Sequence, residues 1–439
     1  MLLQAPLNVL IVLNGTVKRQ EEVPELLTTP GGSMYDAIII GARCAGSPTA
    51  MLLARKGYRV LLLEKATLPS EVPRGHVIMS PGTAILKRWG LLDRVIASNC
   101  PPILKLTLDL GPFALSAAPT LAEEGAVLYG PRHGTLDKIL ADAAVEAGAE
   151  LREGFLVQEI LMEGDRVTGI RGSGPDRVKV TEQAKIVIGA DGLYSLVAQT
   201  VQAPQYNVQP ALTCAYLTYY SGVPVEGATG YLRDNCFIVS FPTNDDKTCI
   251  GMQLPKEELR TFRTDVAGNF MKTIDLVPEL AERVRGGRQE ERILGAGDIP
   301  NFFRKPYGPG WALVGDAGYH KDPYTAQGIA DAFYGAELLT EAIDAGFSGR
   351  RPLEEALADY ERQRNEDALP KYELNCQMAS FEPPPPEMQQ LFVALQGNQA
   401  ETSRFLGTIV GTVPVPEFFA PENLQRIIAE SGMALPSPE

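Results

Sequence analysis

Histidine is the scarcest chemically useful residue in this chain of 439 residues, present only at His76, His133 and His320. So few leave no recognisable Ser-His-Asp or Cys-His arrangement for nucleophilic acyl chemistry. The six cysteines, Cys44, Cys100, Cys214, Cys236, Cys249 and Cys376, form no C-x-x-C pair and no closely spaced Cys/His set. That spacing predicts no metal site, and the cysteines read as free thiols in a reducing cytoplasm. Basic runs are absent as well, and a formal charge of -14 argues against a nucleic-acid partner, which would need clustered Lys and Arg. No stretch approaches the roughly 20 apolar residues that span a bilayer, so no integral membrane segment is expected.

What is present is ordinary globular material: 45% hydrophobic and 21% charged residues, well away from the composition of disordered chains. The length exceeds the usual single domain and predicts a large domain with a smaller companion. Residues 2–13 are fairly apolar, but they lack a basic leader, and Gln4, Pro6 and Asn8 interrupt them. Residues 1–34 read as an extension ahead of the fold, disposable or a misassigned start, with Met34 directly before the first strand.

From Tyr35 the grammar is a strand at 37–40, a Gly-rich turn, a helix at 45–56 and a second strand at 59–63, which is a βαβ unit with nearly all-apolar strands. A helix at 136–147 leads into an extended run at 150–160. Gly164-Asp165 then signals a hairpin, with 166–170 pairing back and a short buried strand at 185–188. Between 205 and 300 the chain alternates as strands, for example 229–241 and 248–254, with a turn at 244–246. After Trp311 the first grammar returns: a strand at 311–314, a turn, a helix at 327–345 and a helix at 353–378 with a break expected at Pro370. Pro383 to Pro386 read as a stiff connector.

The turn Gly41-Ala42-Arg43-Cys44-Ala45-Gly46 lies where a dinucleotide fingerprint belongs, after a strand and opening a helix. The first glycine permits the tight turn and the last lets the helix close on the strand, while the helix N-terminus offers N–H donors to a pyrophosphate. The middle position holds Arg43 in place of glycine, and an arginine there could add charge to the phosphate cradle. Glu64, 18 residues past Gly46 at the end of the second strand, suits ribose hydroxyls. FAD and NAD satisfy that pattern and NADP does not. A Gly-rich turn without a nucleotide is the alternative for this motif alone.

Two further motifs, Asp191-Gly192 after one buried strand and Gly315-Asp316 after another, complete a set of three. With them, residues 35–380 resemble the FAD-dependent monooxygenases related to para-hydroxybenzoate hydroxylase, and more loosely the geranylgeranyl reductases and flavin halogenases. The resemblance implies an α/β fold: a Rossmann-like FAD-binding domain with a parallel sheet and a β-meander, plus a mixed-sheet substrate domain. The expected division is an extension at 1–34, FAD-binding parts at 35–110, 126–204 and 301–380, a substrate-domain excursion at 111–125, the substrate domain at 205–300 and a C-terminal helical segment at 381–439.

The resemblance places Asp316 on the ribityl chain of FAD and Pro323 beside the isoalloxazine, with the following helix aimed at the pyrimidine end of the ring. It also implies cofactor contacts from Gly41, Arg43, Ala45, Gly46, Glu64, Lys65, Arg74, Arg132, Val157, Asp191, Gly192, Gly315, Gln327 and Gly328. The family often carries an arginine three residues after the serine that follows Asp191-Gly192. Ala198 stands there instead, which puts the docking of a nicotinamide donor in doubt.

The implied activity is oxygenation of an apolar small molecule, aromatic or polycyclic, using NADH or NADPH and O2 through a flavin hydroperoxide. Such chemistry needs positioning and water exclusion more than acid-base groups, in keeping with the scarcity of histidine. His320 and Pro323 are the catalytic candidates, His320 as a proton relay. Tyr216, Tyr219, Phe237, Val239, Phe241 and Met252 are candidate substrate-lining residues, with plain sheet core as the alternative reading. Two other functions stay open: reduction of isoprenoid double bonds without oxygen, and flavin binding without turnover. The Trp-x-Trp-x-Ile-Pro signature of tryptophan-type halogenases is absent. A monomer or homodimer is expected.

Overall fold

The computed structural model describes residues 34–70 and 77–431. Its first layer grows from the βαβ unit: β1 (Tyr35–Ile40), α1 (Gly46–Arg55) and β2 (Val60–Leu63). Both strands are buried almost throughout, as strands covered on two faces must be. The sheet runs Tyr307–Gly308, Trp311–Leu313, Lys179–Gly189, β1, β2, Glu150–Arg152. All of these pairings except the first are parallel. The chain therefore leaves β1, β2, Lys179–Gly189 and Trp311–Leu313 at one edge of the sheet. In an open α/β sheet that carboxyl edge is where a ligand binds.

The run expected at 150–160 divides in two. Glu150–Arg152 joins the parallel sheet, Gly154 takes φ +64, and Leu156–Glu163 starts the meander. The hairpin at Gly164-Asp165 pairs Glu163 with Arg166, as its signal predicts. The short strand expected at 185–188 is the end of an 11-residue strand, Lys179–Gly189. Its first residues pair antiparallel with the meander and its last pair parallel with β1.

The second sheet is mixed, in the order Arg288–Gln289, Thr213–Ser221, Lys247–Pro255, Cys236–Thr243, Ala228–Arg233, Leu106–Asp109, Ala114–Ala117. The continuous strand expected at 229–241 is a hairpin, since Asn235 adopts φ +52 and turns the chain between Arg233 and Cys236. Asparagine tolerates this left-handed backbone better than most residues. Leu106–Asp109 pairs with Ala228–Arg233, so the excursion into this sheet begins ahead of residue 111. Three helices, Leu259–Thr264, Val266–Ile274 and Pro278–Gly286, cover one face of the sheet. The C-terminal helices Pro386–Leu395, Gln399–Val410, Val415–Phe418 and Pro421–Glu430 pack around Leu108, Leu115 and Phe237.

The break expected at Pro370 does not occur: Leu353–Ala379 is one 27-residue helix with Pro370 inside it. Tertiary hydrogen bonds on both sides of the proline hold the helix in line. Tyr360 donates to the Leu313 carbonyl and Arg364 to the Gly318 carbonyl, while Tyr372 donates to Asn207 and Asn375 to Asp322. The proline still removes one intrahelical N–H. Pro370→Ala should raise the unfolding free energy by about 1–3 kcal/mol after allowance for the freer unfolded chain, read as a higher Tm in thermal unfolding. An unchanged or lower Tm would show that the helix is already relaxed around the ring.

Candidate functional site

At the carboxyl edge the backbone is packed to its limit. Gly41, at φ +102, would bring a Cβ to 2.4 Å from the Ala190 carbonyl oxygen, and a Cβ on Gly46 would stand 1.8 Å from the Gly41 oxygen. Gly315, at φ +62, would meet the Ala45 side chain at 2.7 Å. Three chain segments that are remote in sequence thus share one crowded place, and only residues without side chains bring them together.

Glu64 is 3% exposed, and its two oxygens accept hydrogen bonds from Ala42 N at 2.9 Å and Ala66 N at 3.1 Å. A carboxylate has lone pairs beyond those two, which suits the ribose role the sequence predicts. Arg43 does not stand open in a phosphate cradle. Its guanidinium lies 2.9 Å from the Ser70 hydroxyl, 3.5 Å from Asp137 and 3.9 Å from Glu64. Its charge thus answers two buried carboxylates.

Asp316 fits a polyol-binding role. Half-buried, it makes no hydrogen bond or ion pair to any other described residue, whereas the carboxylates around it are engaged. The Asp191 Oδ2 accepts from Leu196 N at 2.7 Å, and its Oδ1 is buried with no partner. Burial holds the Asp191 carboxyl above its ordinary range, against the hydrogen bonds from Ser195 and neighbouring backbone that lower it. Ala198 is buried in the core beneath the meander, its N–H capped by Ser195. Pro323 and Gly328 are exposed, at the two ends of a loop otherwise mostly buried. An open carboxylate, an orphaned buried oxygen and glycines no Cβ could replace together fit FAD.

Other expected contacts lie elsewhere. The Arg132 guanidinium is committed to the second sheet, ion-paired with Glu291 and stacked 4.3 Å over the Tyr219 ring. Val157 is buried in the meander core and Lys65 is exposed. The His320 Nδ1 lies 2.5 Å from the Pro300 carbonyl, so that nitrogen serves as a backbone anchor. Arg74 and His76 lie outside the described residues. The fold also gathers Cys44, His133 and Asp137 within 4.8 Å of one another, a set their sequence spacing hid.

The side-chain period of two divides the substrate candidates. Tyr219, Phe241 and Cys249 pack with Val77, Met79, Val410 and Ala326 on the face toward the cofactor edge. Val239 and Phe237 share that face, Phe237 stacking on Tyr324 with centroids 4.4 Å apart. Tyr216 and Met252 point the other way, into the core beneath the three helices, with Tyr216 stacked on Phe262 at 4.0 Å. They are sheet core and are withdrawn as substrate contacts: Tyr216 and Tyr219 are three residues apart in one strand and must face opposite sides.

Sequence reasoning missed the polar anchor of this region. Asp322, fully buried, accepts from Thr213 Oγ1 at 2.6 Å, Gln253 Nε2 at 3.0 Å and Tyr324 N at 3.2 Å. Burial dominates these donors and raises its carboxyl from the ordinary 3.8 to about 6. Next to it, Lys321 is buried with Gln327 at 2.8 Å and Asp331 at 2.9 Å, and its burial pushes the ammonium down. Gln327 in turn donates to the Ile409 carbonyl at 2.7 Å, fastening the C-terminal helix to the loop.

Two outcomes follow. Asp316→Ala should weaken FAD binding about 10- to 100-fold, the loss of one or two hydrogen bonds to a charged acceptor, with little change in Tm without FAD. Fluorescence titration with FAD measures it, and an unchanged dissociation constant would remove Asp316 from the site. Because the folded-state pKa of Asp322 is raised, its contribution to stability is present below the unfolded value. It is lost as pH climbs toward about 6. Asp322→Asn should abolish that loss, so its stability relative to wild type should rise by up to about 3 kcal/mol from pH 4 to pH 7 in urea unfolding.

Residues 34–259 match the family model described as FAD binding domain. A digeranylgeranylglycerophospholipid reductase of Methanosarcina acetivorans is 27% identical over 356 residues, spanning 76% of this chain and 81% of the relative. The conditioned medium factor receptor 1 of Dictyostelium discoideum is 26% identical over 349 residues, spanning 75% of this chain and 67% of that protein. Among solved structures, the flavin-dependent brominase Bmp2 superposes with a TM-score of 0.76 at 19% identity, covering 91% of this chain and 99% of its own. PqsL of Pseudomonas aeruginosa, described as a probable FAD-dependent monooxygenase, superposes with a TM-score of 0.66 at 20% identity, covering 85% and 99%.

Proposed function

Since the chain belongs to the FAD binding domain family, we propose that it is an oxidoreductase that oxygenates an apolar small molecule, taking electrons from NADH or NADPH and oxygen from O2. The observation that carries this reading is the apolar face of the second sheet, Tyr219, Val239, Phe241 and Cys249, closed by Val77, Met79 and Val410. It lies beside the loop whose exposed Pro323 the reading puts against the cofactor. Such a face binds by burial and excludes water from the reacting atoms.

Bound FAD supplies the two-electron chemistry. Asp316 would hold the ribityl hydroxyls, and Glu64, locked by Ala42 and Ala66, would hold the ribose. The N-terminus of the helix Gly328–Phe347 would offer its positive end to bound flavin, where it would stabilise negative charge. The Asp322 anchor keeps the loop before that helix against the second sheet. The absence of an arginine at Ala198 leaves the nicotinamide donor to dock by contacts outside that motif.

A second reading, reduction of isoprenoid-type double bonds, draws on the reductases that match three quarters of the chain at about 27% identity. One experiment separates the two. The purified protein should be yellow, and in stopped-flow with NADH or NADPH and an apolar substrate panel it should consume O2 in proportion to product. Saturation of a double bond under anaerobic conditions, with no O2 uptake in air, would establish the reductase. A colourless protein that takes up no FAD would overturn both.

A further inference from the structure

Asp322 joins more of the molecule than any other residue near the cofactor edge. Its N–H donates to Asn301 Oδ1 at 2.6 Å, and its carbonyl accepts from Asn375 Nδ2 at 2.9 Å. Its carboxylate takes Thr213 and Gln253 from two strands of the second sheet, together with Tyr324 N. The Asn375 Oδ1 also accepts from Thr325 N at 3.1 Å and Thr325 Oγ1 at 2.8 Å, so the helix Leu353–Ala379 holds the same loop from behind. Asp322, Thr213, Asn301 and Asn375 are each fully buried. The neighbouring Pro323 is exposed.

The carboxylate is held by three neutral donors and makes no ion pair among the described residues. The charged and titratable groups facing it are His320 and Lys321 on its own segment, Tyr324 beyond it, and Cys376 from the long helix. Lys321 turns its ammonium away, to Gln327 and Asp331. When the carboxyl is ionised, all three donors are satisfied. When it is protonated the new O–H needs an acceptor, and a backbone N–H cannot become one. The Thr213 hydroxyl can, by rotating, and it then gives up its own donation. Protonation therefore reverses the Thr213 bond and takes the charge from the bonds of Gln253 and Tyr324 N, which loosens the contact between the loop and the second sheet.

We propose that Asp322 is a positioning residue whose protonation state sets where the 322–327 loop stands between the cofactor and the substrate-facing sheet, so that the bound flavin reports one proton at this carboxyl. The proposal rests on the FAD reading of the site. Its titration falls in a useful range because burial places the carboxyl at about 6.

The test is the visible absorption spectrum of the FAD-loaded, full-length protein from pH 5 to 8. Wild type should show one transition in the flavin band near pH 6, and Asp322→Asn should bind FAD and show none. Thr213→Val, which removes one donor from the ionised form, should move the midpoint up by about one pH unit. His320→Gln should keep the transition and move its midpoint only upward, since the imidazolium lowers this carboxyl, which separates the carboxyl from a nearby imidazole. A wild type without the transition, an Asp322→Asn protein that keeps it, or a His320→Gln protein that loses it would each overturn the inference. Should Asp322→Asn fail to fold by circular dichroism, an unmoved midpoint in Thr213→Val overturns it instead. A chain that takes up no FAD overturns this inference and the cofactor reading together; a flavin-loaded chain with an Asp322-independent spectrum overturns this inference alone.

Discussion

Steric exclusion at the carboxyl edge of the parallel sheet governs the arrangement of everything around it. Gly41, Gly46 and Gly315 each stand where a single additional carbon would come within 1.8 to 2.7 Å of backbone or a neighbouring methyl. These contacts join β1, α1, the strand before Asp191 and the turn carrying Asp316 at one edge of the sheet. The attractive interactions follow from that: Glu64 is oriented by the backbone N–H groups of Ala42 and Ala66, while the Asp316 carboxylate bonds to no other described residue.

The second sheet complements this edge by division of labour between its faces. One face supplies ordinary core, with Tyr216, Ile238, Ile250 and Met252 sealed beneath helices. The other carries apolar groups toward the cofactor edge and, at its end, two neutral polar side chains, Thr213 and Gln253, that meet Asp322. Arg132 crosses between the layers, its charge balanced by Glu291 and its plane covering Tyr219. Joining the layers this way puts buried polar bonds where an all-apolar seam would let them slide, a use of polarity for register more than for strength.

Much of this was legible in the sequence because it is local. A strand, a Gly-rich turn and a helix announce β1, the cofactor turn and α1 within about twenty residues, and the Gly315-Asp316 step does the same at the far end. What stayed hidden depends on partners far along the chain. Arg43 reads as a phosphate ligand until Asp137, 94 residues away, is seen beside it. Asp322 looks like a linker before a proline, since Thr213, Gln253, Asn301 and Asn375 come from four other segments. The hairpin at Asn235 was obscured by the apolar residues around it, and Pro370 misled because the bonds that hold its helix straight are all tertiary. The opposite facing of Tyr216 and Tyr219 was readable from strand parity alone.

The strand Lys179–Gly189 serves two ladders, antiparallel to the meander through Gln183 and parallel to β1 from Ala184 onward. A residue inserted or deleted inside it would keep one ladder in step only by turning the side chains of the other to the wrong face. A change of length is accommodated without loss of either register at the bend at 174–178, outside both strands, and not within these eleven residues. Meander and cofactor layer share this one strand, so the register of neither can be altered without disturbing the other.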